Sequence, residues 1–142
     1  MDLQQAEQAS RGLSYTDTEL SLEQLMHQLG AERYQARAAE GESIIVMGDF
    51  NAGCRYLNDD ELAHAELFNE PSLSSLIGDD VDTTTTATFC PYDRLLVSGD
   101  VSDTVTESGV YTFDQDLGLT GDQTRAVSDH YPVWARFQLG AE

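Results

Sequence analysis

Lysine is absent from this chain. Its seven basic residues are all arginines, set against 26 acidic ones, and the formal net charge over 142 residues is −19. So little positive charge excludes a nucleic-acid binder that works by long-range attraction to phosphates, and leaves phosphate-directed chemistry to a metal ion and local donors. A uniformly acidic, lysine-free surface stays hydrated in concentrated salt, where the Debye length falls to about 3 Å and self-repulsion is screened. The composition is that expected of a halophile's protein, the alternative being an ordinary acidic protein. Long hydrophobic runs are also missing: no stretch approaches a membrane span, and Met1 to Gly12 is polar with no apolar signal segment, so a soluble chain without membrane contact is expected. There is no internal repeat, and the run of threonines near residue 84 is too short to be low-complexity sequence. A chain of this length forms one domain with a single core.

What is present centres on Ser43 to Cys54, Ser-Ile-Ile-Val-Met-Gly-Asp-Phe-Asn-Ala-Gly-Cys. The β-branched apolar run predicts a buried strand that stops at Gly48 and places Asp49 and Asn51 where the strand opens into a loop. A carboxylate there is suited to a divalent cation, and a carboxamide two residues on is suited to donate to an anionic oxygen beside it. A plain turn containing Asp and Asn is the competing explanation.

Before this stretch, residues 1–16 read as a polar tail, Thr18 to Leu29 as a helix with Gly30 at its C-cap, and Ala31 to Ala39 as a second helical stretch ending at Gly41. After it, Asp59 to Asn69 is predicted as a helix with acidic residues in its first turn. Pro71 breaks that helix, and Ser72 to Ile77 adds a further helical turn. From Thr83 a hydroxyl-rich extended segment leads into a second buried strand, Arg94 to Ser98. Thr104 to Phe113 is predicted as a strand, Asp114 to Asp122 as a Gly- and Asp-rich loop, and Val133 to Phe137 as a final strand.

Three polar constellations stand at predicted strand ends: Asp49 with Asn51, Tyr92 with Asp93, and Asp129 with His130. A His beside one carboxylate and within reach of another is held in one tautomer with raised basicity, as general acid-base work requires. Each constellation alone also has a structural explanation. Their order, Gly-Asp-Phe-Asn, then Tyr-Asp-Arg, then Ser-Asp-His-Tyr-Pro-Val, each joined to a hydrophobic strand, is far more specific.

With these motifs the chain, over about Asp17 to Phe137, resembles the C-terminal half of the endonuclease, exonuclease and phosphatase superfamily, and within it the deoxyribonuclease I family. The sharper marks are Gly-Asp-Phe-Asn-Ala-Gly-Cys and the spacing of Thr84, Thr88, Cys90, Tyr92 and Asp93. The resemblance implies an α/β (α+β) fold, the C-terminal half of a four-layer α/β sandwich with one mostly antiparallel sheet and helices on one face, over residues 17–139. It implies a disulfide between Cys54 and Cys90, with two buried free thiols as the alternative, and an extracellular or periplasmic location. It implies a divalent-metal-dependent DNA endonuclease using Mg²⁺, with Mn²⁺ or Ca²⁺ as alternatives. In that scheme Asp49 and Asp129 bind metal, Asn51 contacts the scissile phosphate, Asp93 orients His130 as general acid or base, and Tyr92, Thr84 and Thr88 contact phosphate or support a metal. Arg94 is expected in a surface ion pair rather than on a phosphate. His27 and His64, in predicted helices outside these motifs, are expected to be exposed or packing residues.

The family's N-terminal half, which supplies a metal-binding Glu, a further Glu and a first catalytic His, has no counterpart here; Leu13 to Asp17 reads Leu-Ser-Tyr-Thr-Asp, without His. The expectation that follows is weak activity, or a site completed by a homodimer or by a chain supplying the other half, because a half-sandwich leaves a sheet face and an edge strand uncovered. A non-catalytic interaction module or an inactive fragment is the alternative, and a phosphatase acting on small phosphoesters a weaker third.

Overall fold

The architecture is built around one strand that is buried on both faces, Arg94–Ser98 with Asp93 at its head. A computed structural model describes residues 32–34 and 36–140. The expected tail and the helix Thr18 to Leu29 lie outside these residues. Residues 32–34 and 36–39 are helical, within the stretch predicted over Ala31 to Ala39. That helix ends where Gly41 adopts φ 78°, its N–H donating to the Ala38 carbonyl at 2.9 Å and that of Glu42 to Arg37 at 3.2 Å, the left-handed glycine stop.

Strand β1 (Ile44–Asp49) pairs antiparallel with β3 (Asp93–Ser98), from Ile44 opposite Ser98 to Asp49 opposite Asp93. A short strand β2 (Leu73–Ser75) pairs antiparallel with the other side of β3, so the sheet order is β1-β3-β2. The central β3 is buried from Arg94 to Ser98, its apolar run Leu95–Val97 flanked by two buried polar residues. Its two faces feed two clusters. Leu96 joins Ile44, Val46, Leu67 and Leu73, packed by Tyr34, Ala38, Phe50 and Phe68. Leu95 and Val97 join Ile77, packed by residues of a second ladder. That ladder is β4 (Val105–Val110) paired antiparallel with β5 (Val133–Phe137), with an irregularity between Val105 and Glu107. The result is a mixed α/β structure whose sheets are all antiparallel, the expected class, with β1 and β3 presenting their Asp49–Asp93 ends together.

Strand β1 is buried on one face only. Ile44 and Val46 point inward, whereas Ile45 and Met47 are 42% and 65% exposed, so a run that reads as fully buried alternates in and out.

Helix α1 (Asp59–His64) is held at its start by a capping box. Asn58 Oδ1 accepts from the N–H groups of Asp60 and Glu61, each at 3.0 Å, and Glu61 returns a carboxylate oxygen to the Asn58 N–H at 2.9 Å. It is shorter than the predicted Asp59 to Asn69, because the chain passes through an extended Ala65 into a 3₁₀ turn, Glu66–Asn69. The helical turn expected over Ser72 to Ile77 is instead β2. Leu73 is buried opposite Ser98, so pairing with the exposed edge of β3 overrides a weak local preference.

A single turn, α2 (Asp100–Asp103), joins β3 to β4. The strand expected over Thr104 to Phe113 is confined to Val105–Val110. The loop expected over Asp114 to Asp122 is largely helical: α3 (Phe113–Leu117) ends on left-handed Gly118, and α4 (Gly121–Val127) starts with a Thr120–Gln123 capping box. The Thr-x-x-Gln pattern was the signal for α4, masked by Gly and Asp residues that turn chemistry also favours. Among the described residues no helix is long and apolar enough to cross a membrane.

Candidate active site

Two backbone devices bring the three polar constellations together. The first is the β1–β3 register, which sets Asp49 opposite Asp93 and continues one step further as the Phe50 N–H donates to the Tyr92 carbonyl at 2.9 Å. Asn51 then turns back in the left-handed region, φ 49°, which Asn tolerates better than most residues. Its N–H donates to Asp49 Oδ1 at 2.9 Å, so the carboxylate is aimed by the loop it opens.

The second device is the threonine run. Thr84 forms a bridge with His130; the Tyr131 N–H donates to the Thr83 carbonyl at 2.8 Å, and the Thr85 N–H to the Asp129 carbonyl at 2.9 Å. Thr83 is fully buried, and its hydroxyl accepts from the Asp93 N–H at 3.1 Å, tying the head of β3 to the segment carrying His130. Asp82 closes the turn: its Oδ1 accepts from the N–H of Thr84 at 3.0 Å, the Thr84 hydroxyl at 2.9 Å and the Cys90 N–H at 3.0 Å. Asp82 and Thr83 were not among the sequence candidates. An Asp at the head of a threonine run is the signature of such a turn, and was the available signal.

The outcome is a contact across 37 residues: His130 Nδ1 lies 2.7 Å from Asp93 Oδ2. Oxygen or nitrogen donors of Asp49, Asp93 and His130 all lie within 4.8 Å of one another. Burial by itself would lower the His130 pKa, but it is outweighed by the hydrogen bond and charge of Asp93, with Asp49 and Asp129 adding, and the pKa stands above the ordinary imidazole value. An imidazole gripped at Nδ1 keeps Nε2 for proton exchange. Of these groups the carboxylates are the donors that suit a hard divalent cation, which takes oxygen ligands. Asp129 is exposed and lines the same cleft, outside this close group.

Asp49, Asp129 and His130 line an open cleft of about 810 Å³. Asn51, Tyr92 and Thr88 line it as well. The Tyr92 ring lies 5.9 Å from that of His130 and meets Tyr56 edge to face at 5.4 Å; burial chiefly raises its phenol pKa, Tyr56 and Asp49 adding to this against Arg55. Thr84 also borders the cleft, but it is buried and its hydroxyl is engaged with Asp82 and with the Thr88 carbonyl at 2.7 Å. It therefore supports the turn rather than offering a free donor to a phosphate. The Thr88 hydroxyl is exposed and paired with Thr86 at 2.8 Å.

Cys54 and Cys90 form a disulfide across 36 residues, joining the loop after Asn51 to the segment before Tyr92. Arg94 departs from expectation. Far from a surface ion pair, it is fully buried, its guanidinium donating to the carbonyls of Ile77 at 2.9 Å and Ala52 at 3.0 Å and pairing with Asp79 at 2.8 Å. Alternation along β3 explains this: the residue after Asp93 turns to the face where the Ile77 and Ala52 carbonyls and the Asp79 carboxylate stand. His64 is exposed on α1, and His27 lies outside the described residues.

Residues 13–130 match the Endonuclease/Exonuclease/phosphatase family. Deoxyribonuclease-1 of Mus musculus is 42% identical over 95 residues, covering 65% of this chain and 34% of that protein. The Homo sapiens protein of the same name is 40% identical over 95 residues, with the same coverage, and that of Bos taurus 39% identical over 93 residues, covering 63% and 33%. The chain thus spans about a third of the length of the curated relatives it matches.

Proposed function

The chain belongs to the endonuclease/exonuclease/phosphatase family, and from that premise we propose that its cleft is the catalytic half-site of a divalent-metal-dependent endonuclease hydrolysing DNA phosphodiesters. The observation that carries this reading is the 2.7 Å Asp93–His130 pair set beside Asp49, with His130 and Asp49 lining one open cleft. His130 exchanges a proton with the scissile phosphodiester or the attacking water through Nε2, while Asp93 positions the ring and balances the imidazolium. Asn51 donates its carboxamide to a non-bridging oxygen as charge develops. Thr88 and Tyr92 supply further phosphate donors, and Thr84 keeps the turn that presents them. With Asp93 committed to His130, the cation falls to Asp49 and Asp129. Mg²⁺, the ion proposed, or Mn²⁺ or Ca²⁺ in its stead, would neutralise phosphate charge and activate water there.

The relatives' greater length supports a further part of this proposal. The acid-base and metal groups lacking within this stretch are provided by a further polypeptide segment packing on the outer face of β1, where Ile45 and Met47 are exposed. That exposed pair also favours a second reading, a non-catalytic module that uses the same face to bind protein. The disulfide suits oxidising, extracellular or periplasmic surroundings, and the lysine-free charge of −19 suits concentrated salt.

The test is nicking of supercoiled plasmid in molar salt, with Mg²⁺ or Mn²⁺ against chelator, beside Asp49→Ala and His130→Ala. Metal-dependent nicking that falls by about 10² to 10⁴ in the His130 variant is expected. Wild-type rates in both variants overturn the assignment, and the lack of any nicking, even with a complementary half supplied, leaves the binding module.

A further inference from the structure

Positive charge is the scarcest resource in this chain, and most of what the described residues hold is neutralised. Arg37 pairs with Glu42, Arg94 with Asp79, Arg125 with Asp122 and Arg136 with Glu107. Arg55 is placed differently. Among the described residues no carboxylate lies within ion-pairing distance of it, and it lines the cleft. Its guanidinium lies 4.7 Å from the centre of the Tyr56 ring and donates to the Tyr56 hydroxyl at 2.6 Å. Tyr56 meets Tyr92 at 5.4 Å, and Tyr92 meets His130 at 5.9 Å. A file of three rings therefore leads from the acid-base pair to an uncompensated cation, over a length that a few nucleotides of one strand span.

The backbone beneath Arg55 is well anchored. Cys54 is bonded to Cys90 and held in the left-handed region at φ 53°, an uncommon conformation for a residue other than glycine. The next turn closes as the N–H groups of Tyr56 and Leu57 donate to the Gly53 carbonyl at 3.2 and 3.3 Å. Gly53 sits so close to Pro91 that an added Cβ would stand 3.2 Å from the proline ring, and Leu57 is buried beneath. A flexible side chain on a rigid turn loses less freedom on binding than one on a mobile loop.

We infer that Arg55 is the docking cation for a phosphate of the bound DNA strand flanking the one that is cleaved. This rests on the nuclease reading of the cleft. In a chain of net charge −19 the approach of a polyanion is opposed, and a guanidinium with no carboxylate of its own is the group able to accept a phosphate without giving up an existing partner. Arg55 binds and does not touch the reacting atoms, so it acts on KM rather than on kcat.

The test uses the full chain with Mg²⁺ and a duplex oligonucleotide, measuring kcat and KM across a salt series for wild type, Arg55→Gln, Arg55→Lys and, as a control away from the cleft, Arg125→Gln. Arg55→Gln is expected to raise KM with kcat unchanged and to make the dependence of log(kcat/KM) on log[salt] shallower by about 0.9, the share of one neutralised phosphate. Arg55→Lys keeps the wild-type slope, and so does Arg125→Gln. Cleavage by the wild type with an unchanged slope in Arg55→Gln, or a loss confined to kcat, overturns the role of Arg55 and leaves the nuclease reading standing. A wild type that cleaves nothing, even with a complementary half supplied, overturns both.

Discussion

Replacing Arg94 by Met keeps the approximate volume of the side chain while removing its charge and its fork of donors. The guanidinium of Arg94 is the largest fully buried polar group, and it holds two loops at once, through the Ala52 and Ile77 carbonyls. Each charge-assisted bond of this kind contributes about 1.5–3 kcal/mol net. Against their loss stands a gain: Arg94 Nε is buried with no hydrogen-bond partner, and Met removes that cost of about 1 kcal/mol or more. The Asp79 carboxylate left behind is 72% exposed and returns to water at little cost. The expected destabilisation is about 3 kcal/mol, a large share of the 5–15 kcal/mol typical of a folded domain, and roughly a 10 °C fall in Tm. Urea unfolding followed by circular dichroism should show a lower midpoint with an unchanged slope. Asp79→Asn should cost under about 1 kcal/mol in the same assay. An Arg94→Met variant within about 1 kcal/mol of wild type, or an Asp79→Asn variant as damaged as Arg94→Met, would refute the reasoning. Because Ala52 follows Asn51, any activity should fall in Arg94→Met even where the protein remains folded.

Other expectations can be checked as directly. Reduction of the Cys54–Cys90 bridge, or the double Ser variant, frees a loop of 36 residues and should lower stability by about 4 kcal/mol on the chain-entropy estimate, read from urea midpoints with and without reductant. In metal-free protein the His130 resonance should titrate above the ordinary imidazole value of about 6.5, and Asp93→Asn should bring it down. Since the folded pKa is raised, the pair's contribution to stability is fully present below that ordinary value and lost as pH rises through the folded one. Stability that instead grows across this interval would contradict the pairing. Adding a divalent cation should lower the His130 pKa, because positive charge near Asp49 disfavours imidazolium.

Legibility followed the range of the interactions. Strands β1, β3 and β5 could be read from apolar runs because their neighbours in sequence carry the pattern, and α1 from the acidic first turn that follows Asn58. Strand β2 could not: Leu73–Ser75 has little preference of its own and becomes a strand because β3 offers an open edge. Helices α3 and α4 were hidden in a Gly- and Asp-rich stretch, where the same residues cap helices and make turns. The motif residues Asp49, Asn51, Asp93 and His130 were legible as types at strand ends, but Arg94 was misjudged, since burial of a charge is set by carbonyls far off in sequence.

The antiparallel α/β class came with the family resemblance, while the amino-acid order alone determined the charge balance, the approximate ends of β1, β3 and β5, and the residue types that stand at those ends. These are local properties, set by periodicity and by residues within a turn of one another. Only the tertiary structure decided that Asp93 grips His130 across 37 residues, that Asp82 and Thr83 hold the turn on which this depends, and that Arg55 lines the cleft with no carboxylate paired to it among the described residues. Those are differences in distance between groups far apart in the chain, and they exist only once the register of β1 on β3 has closed.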